Sequence, residues 1–215
     1  MAAKKTKNTP SELKEAFVKY AIKYRQLPES DLDFCEESKI KEENFYQHFQ
    51  SIEELHSQIW SDFITDTIQV LNEDPEFEQF SVREQLLAFY YTHLEVIKSK
   101  RDFIQICDDV SNPLPLPEYL KGYKHEFGLF SEALVEAGIQ TGEVADRKII
   151  NKLYDNGLWL QLIFVIKFWI KDKSKDFEQT DAAIEKAVTT SAEIVRPGPI
   201  NSIIDFAKFI YRTRK

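Results

Sequence analysis

The sequence predicts an all-α protein, and three observations carry that prediction. Only 6 Gly and 8 Pro occur among 215 residues, too few for a chain of short strands and tight turns. Apolar residues recur at three and four positions rather than two, the period of a helix face. Acids stand three residues after Ser at Ser51/Glu54 and Ser81/Glu84, ahead of apolar runs, as in a capping box that opens a helix. Hydrophobic residues at 43% and 16 Phe supply a core and exclude a disordered chain.

The elements follow in order. Leu13, Ala16, Phe17, Tyr20, Ala21 and Tyr24 form one stripe, and Thr9, Pro10 and Glu12 ahead of it supply a cap, a first-turn proline and the acid of a capping box. "LPESDLDFCEES" restarts with Ser30 as cap and Asp33 in the first turn, which predicts a short second helix. A third short helix is predicted over Glu42 to Phe49, where Phe45 and Phe49 share one face. The Ser51 box then opens a long fourth helix through about Leu71. The Ser81 box opens the helix of "QLLAFYYTHLEVI", and "SNPLPLPEY" is a proline-rich turn. Leu120, Tyr123, Phe127, Phe130, Leu134 and Ala137 make the next stripe. A helix over Glu143 to Lys171 contains Gly157 to Ile170, apolar nearly all round and so buried on more than one side. Ile184, Ala187, Val188, Ala192 and Val195 mark a penultimate helix, "RPGP" stops it, and "INSIIDFAKFIYR" is a last short one.

Function classes are narrowed by composition. The start "MAAKKTKNTP" leads into no apolar signal-peptide core, and the 14-residue run from Gly157 to Ile170 holds Gln161 and Lys167 and is too short to span a bilayer. A cytoplasmic protein is expected. Cys35 and Cys107 are expected as free buried thiols, since no metal-type spacing joins them. One E-x-x-H, Glu53 to His56, occurs without the second motif that a di-iron bundle needs, and His48, His56, His93 and His125 are scattered. No phosphate loop or nucleophile elbow is present, so neither an enzyme, a metal site nor a cofactor is expected. The net charge of −8 opposes nonspecific attraction to nucleic acid or anionic membrane.

The segment "SDLDFCEESKIKEENFYQHFQSIEEL" resembles the helix-turn-helix signature of the TetR family of transcriptional repressors, with Ser30, Asp33, Phe34, Cys35, Ile40, Phe45, Tyr46, His48, Phe49, Ser51, Glu53, Glu54 and Leu55 on matching positions. The match covers about 45 residues. It implies an N-terminal three-helix helix-turn-helix domain, residues 1–56, joined through the long fourth helix to a larger helical-bundle domain, 57–215, for ligand binding and dimerisation. It further implies a homodimer held by the two long late helices and double-stranded operator DNA as partner.

This chain departs from the family pattern where DNA would be read. Lys39 stands where the turn usually has glycine, Lys41 at the cap, and Glu42 and Glu43 where a basic and a small residue are usual. Residues 29–56 hold 9 acidic side chains against 2 lysines, whereas 1–28 hold 7 Lys or Arg against 2 Glu. Lys4, Lys5 and Lys7 in the N-terminal arm, with Lys41, are therefore the candidate phosphate contacts. Asn44 is the candidate base reader, being able to pair with adenine, and Tyr46 and His48 are by resemblance phosphate-contacting or helix-anchoring. Tyr91, Phe103, Tyr123, Phe127, Trp159 and Phe164 are candidate linings of a pocket for a small apolar ligand. Two functions stay open: a ligand-controlled DNA-binding regulator, or a TetR-type scaffold that has lost DNA reading and binds a lipid-like molecule or a protein partner.

Overall fold

The computed structural model describes residues 8–107, 116–147 and 151–198, of which 151–153 by backbone only. Among them lie nine α-helices and no strand: α1 Pro10–Tyr24, α2 Asp31–Ser38, α3 Glu42–Phe45, α4 Ile52–Asn72, α5 Val82–Ile97, α6 Arg101–Ile106, α7 Leu120–Thr141, α8 Asn151–Lys171 and α9 Glu178–Val195. The fold class is thus all-helical, as predicted. The last helix expected from Ile200 onward lies outside the described residues.

Side-chain caps set the starts of α1, α2, α4 and α5. The Thr9 hydroxyl accepts from the Glu12 amide at 3.2 Å while the Glu12 carboxylate accepts from the Thr9 amide at 2.8 Å, closing the capping box with Pro10 in the first turn. Ser30 accepts from the Asp33 amide at 3.1 Å. Ser81 and Glu84 reciprocate in the same way ahead of α5. At α4 the Ser51 hydroxyl accepts from the Glu54 amide, but the Glu54 carboxylate reaches the amide of Gln50 rather than that of Ser51.

The chain divides into two compact units, 1–66 with 93–126 and 67–92 with 127–215. The core of the first is aromatic: Phe17, Phe34, Phe45, Trp60, Phe103 and Tyr123 are each at most 1% exposed. Phe17 meets Phe34 at 5.9 Å and Phe103 at 6.1 Å between ring centres, and Trp60 stands edge-on to Tyr123 at 5.3 Å, the tilted geometries that ring quadrupoles favour. In the second unit Phe89 stacks on Phe130 at 4.6 Å, and Leu162, Val165, Ile166, Trp169, Ile184 and Val188 close the packing of α8 on α9.

Three expectations are corrected. α3 stops at Phe45, because Tyr46 to His48 form a turn that carries Phe49 into the core without a further helical turn. The helix predicted from Glu143 instead begins, among described residues, at Asn151: Gly142 at φ 81° ends α7, and Val144 and Ala145 turn inward, the Ala145 amide donating to the Val195 carbonyl at 2.8 Å. Ala137 is exposed, and Gly138 takes the buried place beside it. A Cβ at Gly138 would stand 2.5 Å from a Val144 methyl and 2.7 Å from one of Val82, so only glycine lets α7 approach that closely.

Candidate functional site

α2 and α3 are joined by the three residues Lys39 to Lys41, and the turn works because Lys39 takes the left-handed conformation, φ 56° and ψ 36°. Its amide donates to the carbonyls of Cys35 and Glu36, and the Ile40 amide donates to the Cys35 carbonyl at 2.9 Å, so the end of α2 is closed as a glycine would close it. Phe34 and Phe45, both fully buried and 5.9 Å apart, pin α2 to α3.

Several carboxylates of this acidic head are structural ties. Asp31 accepts from the Ile52 amide at 2.7 Å, capping α4 from α2, and from the Tyr46 hydroxyl at 3.0 Å. Asp33 accepts from the Tyr20 hydroxyl at 2.6 Å, and this bond to the carboxylate pushes the Tyr20 phenol up to about 12. Glu37 accepts from the Tyr24 hydroxyl. Glu42 and Glu43 have no such part and are exposed at the start of α3.

The candidate DNA residues separate on this surface. Lys41, Tyr46 and His48 are exposed, Tyr46 at 47%. Asn44 is not: it is 8% exposed, and its amide nitrogen donates to the Asn8 side chain at 2.8 Å. His48 Nε2 donates to the Asn8 carbonyl at 3.1 Å. Lys4, Lys5 and Lys7 lie outside the described residues. Asn8 and Asp31 were not singled out by sequence reasoning, because their partners stand 36 and 21 residues away.

His56, the histidine of the lone E-x-x-H, is buried. It stacks on Tyr119 at 4.2 Å, its Nε2 accepts from the Trp60 indole at 3.0 Å, and burial lowers its pKa to about 4 against the opposing charge of Glu53. Cys107 Sγ lies 3.6 Å from the same nitrogen, and both cysteines are buried thiols. No group of three or more metal-ligating side chains occurs among the described residues.

The six candidate pocket residues do not converge on one described cavity. Phe103 and Tyr123 are core of the first unit, the Tyr123 hydroxyl 2.7 Å from His93 Nε2. Phe127 and Trp159 meet at 6.5 Å in the second, and Tyr91 is 38% exposed. A cavity between α5, α7, α8 and α9 measures about 20 Å³, room for one water, and its lining is apolar. Phe164 instead lines a groove of about 730 Å³ along α8 and α9, with Gly157, Gln161, Phe168, Ala183 and Ile194. Leu160, Phe164 and Ile194 are 56%, 47% and 49% exposed, so α8 buries one side and opens the other. No described helix is long and apolar enough to cross a membrane.

A family model described as tetracyclin repressor-like, C-terminal domain, matches residues 85–210. The fold is similar to a crystal structure of a protein from Syntrophomonas wolfei str. Goettingen assigned to the TetR family of transcriptional regulators, with a TM-score of 0.67 and 17% identity over 85% of this chain and 94% of that one. No curated protein sequence matches the chain.

Proposed function

The chain belongs to the TetR family of transcriptional regulators, and from that premise we propose that it binds operator DNA as a homodimer under the control of a small apolar ligand. Residues 1–56 form the DNA-facing part and 57–215 the dimerising, ligand-responsive part. The observation that carries the reading is the α2–turn–α3 head. Lys39 accepts the left-handed conformation that the turn requires, so the head keeps its geometry although its sequence lost the expected glycine. The exposed Lys41, Tyr46 and His48, with Lys4, Lys5 and Lys7, supply phosphate contacts.

The dimer reading rests on the open side of α8. A face bearing Leu160 and Phe164 beside the α9 groove is the sort of contiguous apolar surface that a second copy covers in an isologous contact. Ligand control asks for opening of the second unit's interior, whose cavity between α5, α7, α8 and α9 is of water size. A ligand that binds only the opened form shifts the population toward it, and DNA affinity changes by the same coupling.

The test is titration of the purified protein against fragments from its own genomic neighbourhood at low and moderate salt. Saturable, sequence-selective binding that weakens steeply with salt is the expected result; absence of binding at low salt sinks the DNA reading. A second reading is favoured by exposed Glu42 and Glu43, which would face phosphates: a scaffold of this family that holds a lipid-like molecule or a protein partner without DNA. Its signature is an apolar molecule co-purifying with a chain that retards no fragment.

A further inference from the structure

The amides of Ile52, Glu53 and Glu54 open α4, and such first-turn donors have no partner inside their own helix and suit an anion. Here the chain's own groups take them. The Ile52 amide donates to Asp31 Oδ1 at 2.7 Å, across from α2. The Glu53 carboxylate accepts from the Ser51 hydroxyl and from its own amide, bonds that hold it below the usual carboxylate range. The Glu54 amide donates to the Ser51 hydroxyl, while the Glu54 carboxylate takes the Gln50 amide at 2.6 Å. Asp31 also reaches the turn after α3. Its Oδ2 accepts from the Tyr46 hydroxyl at 3.0 Å, and this bond raises the Tyr46 phenol above its ordinary value.

Tyrosine hydroxyls and helix-start amides are donors that DNA phosphates take. In the free chain one carboxylate holds both kinds, with the charge and the pair of oxygens that a phosphate brings. Each Asp31 oxygen serves a donor on a different element. A phosphate therefore reaches Tyr46 and Ile52 only by displacing Asp31, and it meets the Asp31 charge as it approaches. We propose that Asp31 is an internal stand-in for a DNA phosphate: it closes α2, Tyr46 and the start of α4 on one another, and the head gains these phosphate contacts only when Asp31 releases them. This rests on the DNA-binding reading above and adds to it a step that holds affinity down. Asp31 is a positioning residue, acting through Tyr46 and the Ile52 amide. The carboxylate does more than add to the charge of an acidic head, since exposed Glu42 repels phosphates without holding a donor.

Two measurements test it. The first is binding to sheared duplex DNA of mixed sequence at low salt, because phosphate contacts need no operator. The variants are Asp31→Asn, Tyr46→Phe, the two combined, and Glu42→Gln as the control that removes a charge alone. Asn keeps the shape of Asp31 and an acceptor for the Ile52 amide. Asp31→Asn should tighten binding by about tenfold, the scale of one charge-assisted hydrogen bond, and Glu42→Gln by clearly less. Tyr46→Phe should change the unaltered chain little and weaken Asp31→Asn several-fold. A gain in Asp31→Asn no larger than in Glu42→Gln, or the same Tyr46→Phe effect in both backgrounds, overturns the stand-in and leaves the DNA reading in place. Binding by Asp31→Asn alone upholds the stand-in while the DNA reading of the unaltered chain falls; if neither binds, both fall. The second measurement needs no DNA. Amide hydrogen exchange at Ile52 should be slow in the unaltered chain and fast in Asp31→Ala, with Ile59 in the body of α4 protected in both. Ile52 exchange that Asp31→Ala leaves unmoved overturns the contact on which the stand-in depends.

Discussion

Lys39 holds a left-handed conformation with its Cβ against its own backbone, where glycine would be unstrained. Lys39→Gly is expected to raise stability by about 0.5–1 kcal/mol, the relief of strain less the added freedom of the unfolded chain, read as a higher urea midpoint at unchanged slope. Two histidines set an acid limit. Burial lowers His56 to about 4 and His93 to about 3, both from an ordinary 6.5. The unfolded chain takes up these protons below about pH 6.5 while the folded chain refuses them, so stability is lost as pH falls from 6.5 to 4 for His56 and on to 3 for His93. Urea midpoints should decline through that window, and His56→Gln should flatten its upper part. The caps at Thr9, Ser30 and Ser81 were legible in the sequence because capping joins residues three apart. Asn44 and His56 were not, because what buries them comes from Asn8 in one case and Tyr119 and Cys107 in the other, far along the chain.

The connection between α8 and α9 is an element fixed by one carboxylate. Asp172, 5% exposed, accepts from the amide and hydroxyl of Ser174 at 2.8 and 2.6 Å and from those of Thr180 at 2.9 and 2.6 Å. Desolvation opposes ionisation there, yet these bonds hold the carboxyl down at about 2, below its ordinary 3.8. Its contribution is therefore present above about pH 3.8 and lost as pH falls toward 2. It also offsets the left-handed Asp176 and Phe177 that turn the chain into α9. Asp172→Asn should lower the melting temperature at pH 7, with the difference from the unaltered protein closing near pH 2. Among the elements, α1, α2, α4 and α5 began where the sequence put them. α3 was read too long because Phe45 and Phe49 have helical spacing even though a turn joins them, and α8 too early because Gly142 ended α7 without a proline to announce a break.

On the scale of the whole molecule, the proposed dimer rests on the face of α8 that no described helix covers. Apolarity all round α8 was legible; which side stays open depends on where α9 packs, and periodicity cannot supply that. Phe164→Glu places a charge at the middle of the open face and should convert a dimer into a folded monomer by sedimentation, with operator affinity lost because one head alone reads half a site. An unaltered sedimentation profile would remove α8 from the interface.

The tryptophans give the molecule a built-in optical readout. The sequence has three: Trp60 lies in the first unit, and Trp159 and Trp169 in the second, all at most 5% exposed. Trp60→Phe leaves an emission spectrum that belongs to the second unit alone. Subtracting it from that of the unaltered chain isolates the unit that carries α2 and α3. One fluorimeter trace with and without denaturant then tells whether the two units melt together or in sequence.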